Sequence, residues 1–175
     1  IASQGLAIKT FLVKAGDKLE IWKAVYGFEK EFYSNCFIVF AHLDFEFSEK
    51  LFSGLYNNGV RGIWYSFHHK IDSIDLEETL RKTIKMYDHV LVIVSSNSIK
   101  RPWVKKELQF AGDYSASDFL NPFIIIEIDE ITENNMDETW KKFISSEYPS
   151  INFIQWKNQV AFDDSLKLLV QKLKI

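Results

Sequence analysis

The residue pair with the clearest chemical potential is Trp103 and Glu107, four positions apart and one turn beyond Pro102. Residues at i and i+4 lie one above the other on a helix. Proline is tolerated in the first helical turn, so Pro102 marks where that helix starts. Val104, Leu108 and Ala111 form the neighbouring stripe and face the core. Glu107 then falls at the margin of the buried face, beside an indole ring. A carboxylate placed there is partly desolvated, and groups so placed are candidates for chemistry. The residues alone leave a second reading open, a surface glutamate paired with a nearby lysine.

Other arrangements are weaker. His68 and His69 are adjacent, so on a strand they point apart, and no Cys, Asp or Glu stands at metal-ligand spacing. No metal site is expected. No G-x-G-x-x-G follows the first strand, which disfavours a dinucleotide oxidoreductase. No Ser-His-Asp arrangement is indicated by position. A phosphorelay receiver would need an aspartate ending the third strand, where Ser95 stands. Lys100, Arg101, Lys105 and Lys106 form a basic cluster, read as a solvated helix face near an interface. A net charge of −3 argues against nucleic acid as a partner. The single Cys36 excludes an internal disulfide and, in an apolar run, reads as a small buried hydrophobe; a reducing, cytoplasmic setting is expected. No apolar stretch reaches the ~18–20 residues of a membrane span, so no membrane partner is expected.

These candidates need a scaffold. Five β-rich runs occur at 36–41, 60–65, 89–95, 123–128 and 151–156. Most are continuously apolar, as expected for strands buried on both faces of a parallel sheet. Helical patterns separate them, which reads as βαβ units. Asp44 is placed to cap a helix whose Phe47, Leu51 and Leu55 recur every four residues, and Gly59 follows its end. Asp75 and Glu78 make a capping box ahead of Leu76, Leu80 and Ile84. A shorter helix is expected over 139–146, and a last one over 163–173 with Leu166, Leu169, Val170 and Leu173 on one stripe. Residues 1–35 read as a connector or accessory helix, with Ile21, Val25, Phe28 and Phe32 on one face; 36–175 read as the main domain. The first residue is Ile, so a longer multidomain chain is expected.

Several blocks together resemble the TIR (Toll/interleukin-1 receptor) family: FIVFAHLD at 37–44, LYNNGVRGIWY at 55–65, MYDHVLVIVSSNSIKRPWVKKEL at 86–108, PFIIIEID at 122–129 and FIQWKN at 153–158. The third is the most telling, with an aspartate before the central strand, a serine-rich loop after it and Trp-x-x-x-Glu on the next helix. The resemblance covers roughly 36–175 and is strongest to bacterial TIR modules. It implies an α/β, flavodoxin-like three-layer sandwich with a five-stranded parallel sheet in the order 2-1-3-4-5, plus the extra N-terminal helix. In such a sheet ligands bind beyond the carboxyl ends of the strands, near the switch between the first and third. That rule gathers 40–43, 64–73 and 95–97 around one cleft.

The resemblance also implies an activity: cleavage of the nicotinamide–ribose bond of NAD+ by hydrolysis or cyclisation, with NAD+ as substrate and no cofactor. Glu107 would be catalytic, and Trp103, Phe40, Ala41, His42, Trp64 and Ser95 would bind substrate. For Phe40 and Trp64 core packing is the preferred reading, and His42 is equally readable as a plain loop residue. Self-association with other TIR domains, in the effector module of a bacterial defence or signalling protein, is expected as well. Two alternatives stand beside it: a non-catalytic TIR domain signalling through self-association, and a relative that transfers bases between nucleosides. The loop at 66–73 lacks the family's usual acidic pair and glycine, which favours the non-catalytic alternative.

Overall fold

The computed structural model describes residues 33–65, 78, 82, 86–115, 123–144 and 148–175. Five strands, β1 (Cys36–Val39), β2 (Ile63–Tyr65), β3 (His89–Val94), β4 (Phe123–Glu127) and β5 (Ser150–Asn152), form one sheet. All four pairings are parallel, and the strand order is β2-β1-β3-β4-β5. Among the described residues the continuous helices are α1 (Phe45–Asn57), α2 (Pro102–Ser115), α3 (Glu138–Ile144) and α4 (Gln159–Leu173). Glu78 and Lys82, between β2 and β3, are helical and ion-paired at 2.7 Å. The accessory helix expected within 1–35, the rest of the helix expected around 75–84, and the loop at 66–73 lie outside the described residues.

Side chains alternate across a strand, so the central strands β1, β3 and β4 feed two cores. Cys36, Ile38, Leu91, Ile93, Ile124, Ile126 and Ile151 pack on one face against Phe47, Leu51 and Leu55 of α1 and Phe162, Leu166, Leu169 and Leu173 of α4. Phe37, Val39, Val90, Val92, Val94, Phe123 and Ile125 pack on the other against Val104 and Leu108 of α2 and Trp140 of α3. The outcome is the expected three-layer sandwich, and it explains why the runs are continuously apolar. Cys36 is fully buried, and burial, with the charge of Asp88 adding to it, pushes its thiol up to about 12. It is an inert filler.

The strands differ from the sequence reading at their ends. Of the run expected at 151–156 only Ile151 and Asn152 join the sheet, where Ser150 precedes them in β5. The Asn152 side chain then accepts from Ile154 N at 2.9 Å and Trp156 N bonds Phe153 O at 2.8 Å, so local turns take over from the ladder. The last helix starts at Gln159, four residues before the expected 163, because Asn158 Oδ1 caps it by accepting from Ala161 N.

Two glycines and one asparagine set the β1 end of the sheet. Asn35 Oδ1 accepts from Asp88 N at 2.6 Å and Asp88 Oδ2 accepts from Asn35 N at 3.2 Å, which clamps the start of β1 to the start of β3. Gly62 passes so close to Asn35 that an added Cβ would lie 2.6 Å from the Asn35 Cβ. Gly59, closing α1, has φ +93°, a conformation that L residues avoid. Gly59→Ala is expected to lose about 1–2 kcal/mol of stability, and Gly62→Ala about 1–3 kcal/mol through overpacking of the clamp. Urea unfolding measures both; variants as stable as the parent would contradict these roles.

Candidate functional site

The carboxyl ends of β1 and β3 are adjacent, and the chain leaves them in different directions. After β1 come Phe40, Ala41 and a 3-10 turn, His42–Asp44. After β3 comes Ser95–Asn97, a second 3-10 turn, Ser98–Lys100, and then α2. A cleft of about 340 Å³ opens between these two exits, lined by Phe40, Ala41, His42, Arg101, Trp103 and Val104. It lies where a doubly wound sheet of this order provides its ligand crevice.

What holds the two exits together is a buried polar network. Asp44 is 6% exposed. Its Oδ1 accepts from Asn97 Nδ2 at 2.6 Å and its Oδ2 accepts from the Ser95 hydroxyl. Ser95 Oγ also accepts from Ser98 N at 2.9 Å, and Ser98 Oγ accepts from Ser95 N at 2.8 Å. This reciprocal Ser-x-x-Ser exchange satisfies donors at the turn that leads into α2. On the far side, Asp129 after β4 accepts from Ser96 N at 2.9 Å and Ser96 Oγ at 2.7 Å. The serine-rich loop is therefore pinned by two aspartates.

Asp44 does not act as the helix cap that the sequence pattern indicates: its side chain makes no capping bond to α1. Its carboxylate crosses to the β3 exit instead, where the buried Ser95 hydroxyl and the half-buried Asn97 amide need an acceptor. Burial holds the Asp44 carboxyl above its usual range; hydrogen bonds from Ser95 and Asn97 pull it down, the charge of Asp129 pushes it up and Arg101 pulls it down.

The seven residues singled out in the sequence divide into groups. Phe40, Ala41, His42 and Trp103 line the cleft together. Glu107 is 1% exposed, one helical turn beyond Trp103 and Val104, and does not line the cleft. It is buried more deeply than a marginal position implies. Ser95 is fully buried and its hydroxyl belongs to the Asp44 network, so it shapes the site from behind. Trp64 is on edge strand β2, 40% exposed, tilted against Phe37 with ring centres 5.1 Å apart and away from the cleft lining. Phe40 is both wall and core: it is 8% exposed and meets Tyr65 edge-on at 5.7 Å.

Sequence reasoning missed Arg101 and Val104 as lining residues, and Asp129 as a support. The basic cluster is not one face. Lys105 pairs with Asp137, Lys106 stands 5.7 Å from the centre of the Trp103 ring, and Arg101 turns to the cleft. A signal existed in Pro102, because the residue before the first helical turn sits where the chain emerges from the β3 exit. Among the described residues no group of three or more His, Cys, Asp or Glu could hold a metal ion. No helix among them is long and apolar enough to cross a membrane.

A parallel sheet in this order, wrapped by helices and carrying a cleft at the β1–β3 exits, defines a flavodoxin-like α/β domain. A family model described as a TIR domain matches residues 36–170, and the chain belongs to the TIR domain family. No curated protein matches it. Among solved structures, the chain is similar to the TIR domains of the activated Roq1 resistosome directly recognizing the pathogen effector XopQ. That likeness has 17% identity and a TM-score of 0.47, over 79% of this chain and 84% of that one.

Removing the Asp44 carboxylate leaves the Ser95 hydroxyl and Asn97 amide without their acceptor, so Asp44→Ala is expected to cost roughly 2–3 kcal/mol. The pH dependence has a definite sign. A carboxyl raised above its unfolded value of about 3.9 contributes stability that is present below that value and lost as pH rises through the folded one. The stability of the parent relative to Asp44→Asn should therefore fall as pH climbs through and above the ordinary aspartate range. Urea unfolding at a series of pH values reads this directly, and a difference that grows with pH would reverse the assignment.

Proposed function

We propose that this TIR domain cleaves the nicotinamide–ribose bond of NAD+, with Glu107 as the catalytic carboxylate. The observation that carries the reading is the burial of Glu107, one turn beyond the wall of the β1–β3 cleft. Among the described residues it is the only buried glutamate. A carboxylate is expensive to bury, and a helix that only needed packing would place an apolar side chain there.

The chemistry asked of the site is modest. Glycosidases ordinarily use two carboxyl groups, because the departing sugar oxygen must be protonated. The nicotinamide of NAD+ is already cationic and leaves as a neutral molecule, so no acid is needed. Breaking the C–N bond places positive charge on the ribose, and one desolvated carboxylate stabilises that oxocarbenium-like centre more strongly than it could in water. Water then adds to the ribose and loses a proton, giving ADP-ribose, nicotinamide and H+; attack by the substrate's own adenine instead gives a cyclic product. Trp103 and Phe40 offer flat apolar surfaces to a base, and His42 a polar contact at the rim. NAD+ is the substrate, and no cofactor takes part.

The wider setting follows the same reading: residues 36–175 form the effector domain of a longer cytoplasmic defence or signalling protein, joined through 1–35 and switched on by self-association. One observation favours the non-catalytic alternative, signalling by self-association alone. Glu107 is closed off from the cleft lining, so the enzyme reading requires the ribose to gain access to it on binding or assembly.

NAD+ consumption and nicotinamide release, measured in solution and with the protein clustered on beads, test the proposal. Turnover is expected from the clustered parent, and Glu107→Ala is expected to lower it by about 100-fold or more. Turnover that survives in folded Glu107→Ala would mean that another residue acts. A folded parent without turnover in either format would leave the self-association reading.

A further inference from the structure

The NAD+ reading says nothing of how the cleft holds the rest of so large a molecule. Four of its six lining residues are apolar or aromatic: Phe40, Ala41, Trp103 and Val104. The polar pair is His42 and Arg101, and Arg101 is the lining group with a permanent charge. Its position is fixed from the backbone, since Arg101 N donates to Ser98 O at 3.1 Å and the pinned serine loop sets the residue at the mouth of the cleft.

The local charges leave its guanidinium uncommitted. Among the described residues the Arg101 side chain makes no hydrogen bond or ion pair. Its acidic neighbour Asp44, which feels its charge, already accepts from Ser95 and Asn97. Lys105, four residues on, is by contrast paired with Asp137. A guanidinium with five N–H donors in a planar fork fits two phosphate oxygens at once, which a point charge on a lysine does not. Apolar walls for a base with a forked cation beside them fit a nucleotide whose diphosphate lies at the rim.

We propose that Arg101 is the residue by which this cleft selects nucleotides carrying a diphosphate, holding that group while the ribose is directed towards Glu107. The proposal rests on the nucleotide-cleaving reading above for its substrate class. Arg101 is a binding residue on this view, so its loss weakens capture without slowing the bond-breaking step.

Two measurements on the clustered protein test it. In the first, NAD+ and the phosphate-free nicotinamide riboside are compared as substrates for the parent, Arg101→Ala and Arg101→Lys. The expected result is a KM for NAD+ raised about tenfold or more in Arg101→Ala. Its kcat should stay within about twofold, turnover of the riboside should be unchanged, and Arg101→Lys should recover part of the loss. In the second, calorimetry measures ADP-ribose and adenosine binding to the parent and Arg101→Ala. ADP-ribose should weaken about tenfold or more and adenosine should not change. An NAD+ KM and an ADP-ribose Kd both unmoved by Arg101→Ala would overturn the proposal while leaving the hydrolase intact. A kcat that falls equally for NAD+ and the riboside would also overturn it, assigning Arg101 to the Asp44 network. If the parent cleaves nothing yet binds ADP-ribose through Arg101, the selection stands and the hydrolase reading falls.

Discussion

The bridge from Asp44 to Ser95 and Asn97 joins two segments about fifty residues apart in sequence, at the point where the sheet stops and the site begins. Strand hydrogen bonds end with β1 at Val39 and β3 at Val94, and beyond them nothing in the ladder fixes the loops. A buried carboxylate must find donors, and a buried serine hydroxyl and a half-buried asparagine amide need acceptors, so each enforces the position of the other. The same loop is held on its second side by Asp129, and it delivers the chain to α2 at Arg101 and Pro102. The cleft, the ring of Trp103 and the depth of Glu107 all depend on that delivery.

The site is accordingly built in two tiers. Against the solvent stand Phe40, Ala41, His42, Arg101, Trp103 and Val104, a wall of mostly apolar groups. Behind it stand ionisable groups removed from water, Glu107 on α2 and Asp44 between the strand exits. Burial strengthens the electrostatic effect of a carboxylate and makes its charged form harder to maintain. For Asp44 the balance shows in a carboxyl held above its usual range despite two hydrogen bonds. Fixed polar groups behind an apolar surface are the arrangement a site needs if it is to act on developing charge with little reorganisation.

The two faces of the sheet divide the labour. The face covered by α1 and α4 carries the larger aliphatic cluster, together with the ring contacts of Phe47 with Phe153 and Phe162. The face covered by α2 and α3 is the one from which Trp103 and Val104 reach the cleft, with Glu107 buried one turn behind them. Packing of Val104 and Leu108 against the sheet locks the rotation of α2 about its axis. That rotation is what turns Glu107 inward.

Sequence alone determined the strand–helix alternation, the parallel sheet and the buried stripes of α1 and α4. Those properties are periodic: apolar runs buried on both sides mark strands, and a four-residue recurrence such as Phe47, Leu51 and Leu55 marks a helix stripe. It also identified Trp103 and Glu107 as one helical unit, because their relation is local. The tertiary structure decided the rest. Asp44 reads as a helix cap by spacing, and only the approach of the β3 exit shows that its partners lie across the sheet. Ser95 and Trp64 fall near the right strand ends, but one hydroxyl is consumed by Asp44 and one ring by Phe37. Arg101 is one charge in a basic run until the neighbouring lysines are seen to meet Asp137 and Trp103. Which polar group is left to face a cleft depends on pairings between distant segments, and periodicity carries no information about those.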